Sequence, residues 1–389
     1  VIGQGEVMAT ILVLKERQDG EHRVAATPET VKSYCGDGHR VLFEEGAGVR
    51  ASYPDEAYEE AGAKLVGLDD DVLTSADIVL SVAPPSTKSG VQPSQLKQGA
   101  VWVSFFEPDR NLDFVSNLAE AGVSAISMEL VPRITRAQSM DALSSQANLA
   151  GYKAVLLGAA KLPRFFPLLM TAAGTIRPAR VVVMGAGVAG LQAIATAKRL
   201  GAVVEVSDIR PEVEEQVQSL GAKFIPLPEL GSGSGEGGYA KEVTEEFLEK
   251  QREIVAEYLR KADVVITTAL VPGRPAPKLV SADVVAEMKH GSVIVDLAAT
   301  RGGNCELTVA DETVQEGPVT IMGPTDLPSQ MASDASALYA RNLSSLLKLV
   351  FDDEGQVVID LEDEILDEAT LTHSGEIRHE ATRDALQSS

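Results

Sequence analysis

Three glycines, Gly185, Gly187 and Gly190, stand at G-x-G-x-x-G spacing behind the β-branched run Arg180–Met184 and ahead of a helical stretch, Leu191–Leu200. Strand, glycine turn and helix in that order suit a dinucleotide. Gly185 permits the tight turn and Gly187 lets the backbone approach a pyrophosphate. Gly190 lets helix and strand pack closely, and the helix N-terminus, Val188 and Ala189 included, offers its dipole and free amides. The bare glycine pattern is a weak signal, and a purely structural turn would also produce it. Here, however, the next strand, Ala202–Val206, runs to Asp208, where a ribose-binding acid belongs. Asp208 is expected to accept from the adenosine 2′-hydroxyl and to repel a 2′-phosphate, which favours NAD over NADP. Arg210, just past Ile209, argues slightly the other way, because an arginine accommodates that phosphate.

A second polar group lies upstream: Arg133, Gln138, Asp141 and Ser144, within Pro132–Tyr152. Spacing alone reads it as a loop whose Ser139 or Asp141 caps the following helix. The five histidines include no H-x-x-H or H-E-x-x-H pattern, and Cys35 and Cys305 are far apart, so no metal site is expected and a reducing compartment is.

Short apolar runs must position these groups. Thr10–Leu14, Arg40–Phe43, Asp77–Val82, Val101–Phe105 and Val123–Met128 form one series of strands. Arg180–Met184, Val203–Ser207, Asp263–Thr268, Ser292–Leu297 and Val319–Met322 form another. Strands alternating with helical stretches predict right-handed βαβ units, hence an α/β chain of two doubly wound parallel-sheet (Rossmann-like) domains. A helix over Ser145–Ala160, with Leu149, Tyr152, Leu156 and Ala159 on one stripe, leads from the first domain to the second. A helix over Ser333–Leu349 returns the chain. The expected division is residues 8–144 plus 328–389 for the N-terminal domain and 145–327 for the nucleotide-binding domain. The acidic tail, Phe351–Ser389, lacks periodicity and is assigned to the first domain.

Two segments resist that scheme. Phe165–Ile176 is uncharged and carries Pro167 and Gly174, so it is either a buried strand or an apolar hairpin that packs on a second copy of the chain. Gly231–Tyr239 is rich in glycine and reads as a passive linker or a flap over a cofactor. The 389 residues are 44% hydrophobic, ample for two cores, and the net charge of −23 repels nucleic acid and anionic lipid. No stretch reads as a membrane span. Val1–Val7 read as a remnant ahead of a natural start at Met8.

The segment Pro132–Tyr152, PRITRAQSMDALSSQANLAGY, closely resembles the signature of the NAD(H)-binding component of proton-translocating transhydrogenase. The resemblance extends through Lys15-Glu-Arg17, Arg23-Val-Ala, Thr171–Thr175, Gly185–Leu200, Gly237–Lys241, Ile266–Pro277 and Asp296–Cys305. It covers nearly all of the chain to about Leu349, the tail least. It implies that Arg133, Gln138 and Asp141 grip the nicotinamide end with Ser144 beside them, Asp141 holding Arg133 by a charge-assisted bond. It likewise implies nucleotide-binding roles for Ile209, Thr268, Ala269 and Leu270, and makes Tyr239 part of a mobile loop. One departure is Arg301, near which the family often places an acidic or neutral residue.

What the resemblance implies is direct hydride transfer between NAD(H) on this chain and NADP(H) on a partner subunit. Proton movement would belong to membrane subunits. It also implies a homodimer, with Phe165–Ile176 as its candidate core, and a cytoplasmic place on the inner face of the membrane through those partners. Alanine dehydrogenase shares the two-domain plan and is the rival; a non-catalytic NAD-binding module is the third class. Alanine dehydrogenase needs a lysine and a histidine in its first domain, and at the corresponding positions this chain has Ser81 and the pair Phe105-Phe106.

Overall fold

The computed structural model describes residues 8–83, 90–226, 245–270, 273–352 and 354–388. The chain divides into two compact units, residues 1–146 with 328–389 and residues 147–327.

In the first unit the parallel strands are β1 (Thr10–Val13), β2 (Arg40–Glu44), β3 (Lys64–Val66), β4 (Ile78–Leu80), β5 (Val101–Ser104) and β6 (Ser124–Ser127). Helices α1 (Pro28–Gly36), α2 (Asp55–Glu60), α3 (Asp70–Ser75) and α4 (Leu112–Glu120) connect them. Helix α1 starts where it does because Thr27 and Thr30 form a reciprocal capping box ahead of Pro28. Successive residues of β1 serve opposite faces of the sheet: Ile11 and Val13 enter one core cluster, Leu12 and Leu14 another. Burial on both faces is why the strand reads as an unbroken apolar run.

Helix α5 (Ala142–Lys161) leads into the second unit, where β7 (Leu169–Thr171) and β8 (Gly174–Ile176) form a separate hairpin. The main sheet there contains β9 (Arg180–Met184), β10 (Val203–Ser207), β11 (Lys223–Phe224), β12 (Val264–Thr267), β13 (Val293–Asp296), β14 (Thr313–Glu316) and β15 (Val319–Met322). Helices α6 (Val188–Arg199), α7 (Glu214–Ser219), α8 (Glu245–Arg260) and α9 (Ala282–Ala286) accompany it. Its order is β11-β10-β9-β12-β13-β15-β14, parallel except for β14. Val181 and Val183 pack on one face and Val182 and Met184 on the other.

The chain then returns through α10 (Ala332–Val350), α11 (Glu364–Ala369), β16 (Thr370–His373), β17 (Glu376–Ile377) and α12 (Glu380–Ser388). The first sheet thereby becomes eight-stranded, β17-β16-β6-β5-β4-β1-β2-β3, with β16 antiparallel to β6. Both sheets are predominantly parallel, as the alternating runs predicted.

The tail, which shows no period in the sequence, folds into short elements with Ile365, Leu366, Ala369 and Leu371 fully buried. One expectation is corrected. The buried stripe of α5 is Gly151, Ala154, Val155 and Gly158, while Tyr152 is exposed. Small residues mark the packed face because the backbone of α6 lies against it: a Cβ on Gly151 would stand 2.1 Å from the Ala189 carbonyl oxygen. Of the two readings open for Phe165–Ile176, the structure has the hairpin rather than the buried strand, with Leu168, Met170 and Ile176 all exposed, Met170 by 73%. The short strands β3, β11 and β14 were not anticipated, since each is only two to four residues long and carries no extended apolar run.

Candidate functional site

Strand order in the second unit reverses between β9 and β12, so the crevice at their carboxyl ends is a topological switch point, where open α/β sheets bind ligands. Met184 leads from β9 into Gly185, whose φ of +103° only glycine adopts without strain. Gly190 is required by proximity: a Cβ there would lie 1.8 Å from the Gly185 carbonyl oxygen. A Cβ on Gly187 would meet nothing within 4 Å, which leaves the space over the loop open for a ligand. The helical ladder of α6 opens with Leu191 N–H donating to the Gly187 carbonyl at 2.8 Å. The amides of Gly187, Val188 and Ala189 precede it and have no carbonyl of their own helix to meet. Free amides at a helix N-terminus can hold an anionic group.

Across the switch point, Thr268 ties β12 to the glycine loop. Its amide donates to the Met184 carbonyl at 2.8 Å and its hydroxyl to the Gly185 carbonyl at 3.1 Å. Ala269 is fixed on both sides by Asn304: its amide donates to Asn304 Oδ1 at 3.0 Å, and Asn304 Nδ2 donates to its carbonyl at 2.8 Å. Asn304 is fully buried and was missed by sequence reasoning. A polar residue after Gly302-Gly303, where φ is positive at both glycines, was the available signal. Asp296 braces the same turn with four acceptor contacts, from the Thr267 and Thr308 hydroxyls and the Ala298 and Cys305 amides. Arg301, the departure noted above, takes part through its backbone, its carbonyl accepting from the Ala276 amide at 2.8 Å. Leu270 is exposed beyond Ala269, and Ile209 is 86% exposed beyond Asp208.

Asp208 lies beside the glycine loop, but its oxygens are already engaged. Oδ2 accepts from the Ala186 amide at 2.7 Å and from Arg210 at 2.9 Å, and Oδ1 accepts from the Arg210 amide and Nε. Burial alone would raise the Asp208 carboxyl. The Arg210 guanidinium and the two amides outweigh it and hold the carboxyl below the ordinary range. Any hydroxyl approaching Asp208 has to displace or share with the guanidinium, whose side chain is 49% exposed. An ion pair that open to water is weak enough to exchange.

In the first unit, the other polar group forms a short 3-10 turn, Thr135–Met140, between Arg133 and α5. Here the expected pairing of Asp141 with Arg133 is not what the structure shows. Asp141 accepts from the Ser144 amide at 2.8 Å and the Ser144 hydroxyl at 2.6 Å, so it caps α5. Ser139 serves through its carbonyl rather than as the cap. Arg133 and Gln138 are exposed, and among the described residues neither side chain has a partner. Tyr239 and the Gly231–Tyr239 stretch lie outside the described residues.

The first sheet has its own switch point, between β1 and β4, and there, among the described residues, side chains already take backbone groups. The Glu16 carboxylate accepts from the amides of Val82 and Ala83 at 2.6 and 3.3 Å. Burial, reinforced by nearby Glu21, pushes its carboxyl up to about 8. Ser81 accepts from Trp102 Nε1 and bonds to the Ser104 hydroxyl, both at 2.9 Å, and Tyr339 donates to the Ser81 carbonyl. Arg23 is engaged by both oxygens of Glu21 and by Gln146. Among the described residues no cluster of His, Cys, Asp and Glu is arranged to hold a metal ion, and no helix is long and apolar enough to cross a membrane.

Comparisons with known proteins agree along nearly the whole chain. The family described as alanine dehydrogenase/PNT matches with its N-terminal domain over residues 12–150 and its C-terminal domain over residues 154–380. The chain is 49% identical over 376 residues to an NAD(P) transhydrogenase alpha-subunit polypeptide of Rhodospirillum rubrum, covering 95% of this chain and 98% of that one. Alanine dehydrogenase 1 of Staphylococcus aureus is 28% identical over 354 residues, 87% of each chain. A solved transhydrogenase structure from Sinorhizobium meliloti has a TM-score of 0.85 at 45% identity, over 95% of this chain and 99% of the other.

Proposed function

We infer the activity from one premise: the chain belongs to the alanine dehydrogenase/PNT family. Within it we propose the NAD(H)-binding alpha subunit of a transhydrogenase, exchanging hydride between NAD(H) on this chain and NADP(H) on a partner subunit. Proton translocation belongs to membrane subunits, which hold this chain on the cytoplasmic face. The observation that carries this choice over an amino-acid dehydrogenase is the filled switch point of the first sheet. Ser81 is spent on Trp102 and Ser104, and Arg23 on Glu21 and Gln146. Among the described residues no lysine–histidine pair stands there for an oxo-acid.

The bound nicotinamide supplies the hydride, a transfer that needs orientation and close approach rather than an acid or base on the protein. The amides of Gly187, Val188 and Ala189 take the pyrophosphate, and Asp208 takes the adenosine ribose once Arg210 yields. Ile209, Thr268, Ala269 and Leu270 line the nucleotide. Gln138 offers an amide whose donor and acceptor match a carboxamide, which selects the ring face presented for Re/Si transfer. Arg133 bonds to the carboxamide or the ribose. Asp141 and Ser144 act as a unit at the head of α5.

Stopped-flow mixing of the NADH-loaded chain with an NADP⁺-loaded partner domain should show hydride transfer in a single turnover, and pyruvate with ammonia should oxidise no NADH. The opposite pair of results would replace the transhydrogenase with a dehydrogenase, and silence in both would leave a binding module. The exposed hairpin β7–β8 is the proposed core of a homodimer. Leu168→Asp should therefore give monomers in sedimentation velocity; an unweakened dimer refutes that placement.

A further inference from the structure

We propose that Asn342 and Asp363, both from the chain's return after residue 327, are positioning residues that set the loop carrying Arg133 and Gln138. This rests on the transhydrogenase reading and adds to it a role for the segments that return the chain to the first unit.

The loop is a 3-10 turn, Thr135–Met140, whose two ends are tied back by backbone bonds. Ala137 N–H reaches the Ile134 carbonyl at 3.1 Å, and the closing bond from Asp141 N–H to the Gln138 carbonyl is long, at 3.4 Å. Ala137 and Met140 anchor its inner side in the core. Its remaining anchors come from the return segments. Asn342, on α10, donates from Nδ2 to the Ser139 carbonyl at 2.8 Å and accepts at Oδ1 from the Ser145 hydroxyl at 2.7 Å. Both ends of a buried amide are thus used, one on the loop and one on the first turn of α5.

Asp363 does two things with one carboxylate. It caps α11, accepting from the Ile365 amide at 2.8 Å and the Leu366 amide at 3.4 Å. It also receives Arg136 in a two-pronged pair at 2.5 and 2.9 Å, the geometry in which arginine is most directional. Arg136 and Ser139 flank Gln138, and Ala137 between them is fully buried. With Ala137 buried and the Ser139 carbonyl held by Asn342, the backbone of Gln138 is restrained on both sides, the half-exposed Arg136 pair adding direction more than strength, and among the described residues its side chain has no partner. A residue that must present an amide to one ring face needs that combination.

Two substitutions at one position separate this from mere helix capping. Asn caps nearly as well as Asp, so Asp363→Asn keeps α11 but loses the charge on Arg136; Asp363→Glu keeps the charge and is the poorer cap. The probes are NADH and 5′-AMP, which lacks the nicotinamide, titrated on the full chain, with single-turnover hydride transfer to the NADP⁺-loaded partner. Asp363→Asn and Asn342→Ser should each weaken NADH and slow transfer about 3- to 10-fold, leaving AMP within about twofold of wild type. Asp363→Glu should retain most of both activities. If Asp363→Glu is the impaired variant and Asp363→Asn is silent, or if AMP weakens as much as NADH, the positioning role is overturned. A wild-type chain that binds no NADH would instead remove the cofactor reading, and this inference with it.

Discussion

The two sheets reach their switch points by the same topology and do opposite things there. In the second unit the turn after β9 is glycine and backbone: Gly187 opens onto empty space and the first amides of α6 have no internal partner. In the first unit, among the described residues, the groups at the corresponding position after β1 are taken by the protein's own side chains. Glu16 takes the amides of Val82 and Ala83, which an incoming anion would otherwise meet, and Tyr339 takes the Ser81 carbonyl. The doubly wound fold provides a crevice in either case. Whether it is a site depends on whether side chains have already satisfied the groups lining it.

The largest effect is expected from closing the open crevice. Gly190→Ala drives a methyl into the Gly185 carbonyl, a backbone atom unable to swing aside. We expect NADH titration to show no binding, with a loss of about 2–3 kcal/mol in stability by denaturant melting. Unaltered binding would break the contrast, because the glycine turn would then not be the site.

Glu16 tests the filled crevice through pH. Its folded-state pKa of about 8 lies above the ordinary 4.5, so the folded chain holds a proton that the unfolded chain releases between those values. The stability linked to that proton is complete below about pH 4.5 and is lost as pH rises through 8. Glu16→Gln should remove this slope, about 1 kcal/mol per pH unit, from denaturant melts compared across the window. Parallel wild-type and variant curves would show that the carboxyl is not held neutral.

A smaller change sharpens the ribose end. Asp208→Asn keeps an acceptor for the Ala186 amide but removes the charge that holds Arg210. NADH affinity should fall about tenfold while NADPH gains relative to it. Equal affinities for both nucleotides before and after the change would detach Asp208 from the ribose.

Much of the second unit was legible in the residues. The demands on Gly185 and Gly190 are steric and local, and the strand that delivers Asp208 is a valine run interrupted only by Glu205. Arg133, Gln138 and Asp141 were recognisable as a group only by resemblance, and one of their expected contacts was misassigned. Asp141 prefers Ser144, three residues on, because a carboxylate at a helix start finds an amide and a hydroxyl within reach. On α5 the larger apolar residues suggested the wrong face, since close backbone packing selects glycine and alanine there.

The amino-acid order by itself determined the alternation of strands and helices and the glycine turn, because these follow from strands buried on both faces, which read as short apolar runs, and from backbone sterics over a few bonds. Only the tertiary structure decided which crevice is open and what braces the Gln138 loop. Glu16 meets Val82 across 66 residues and Asn342 meets Ser139 across 203. Pairings that distant leave no periodic trace in a chain, since neither partner's position depends on its sequence neighbours but only on where the folded sheet brings it.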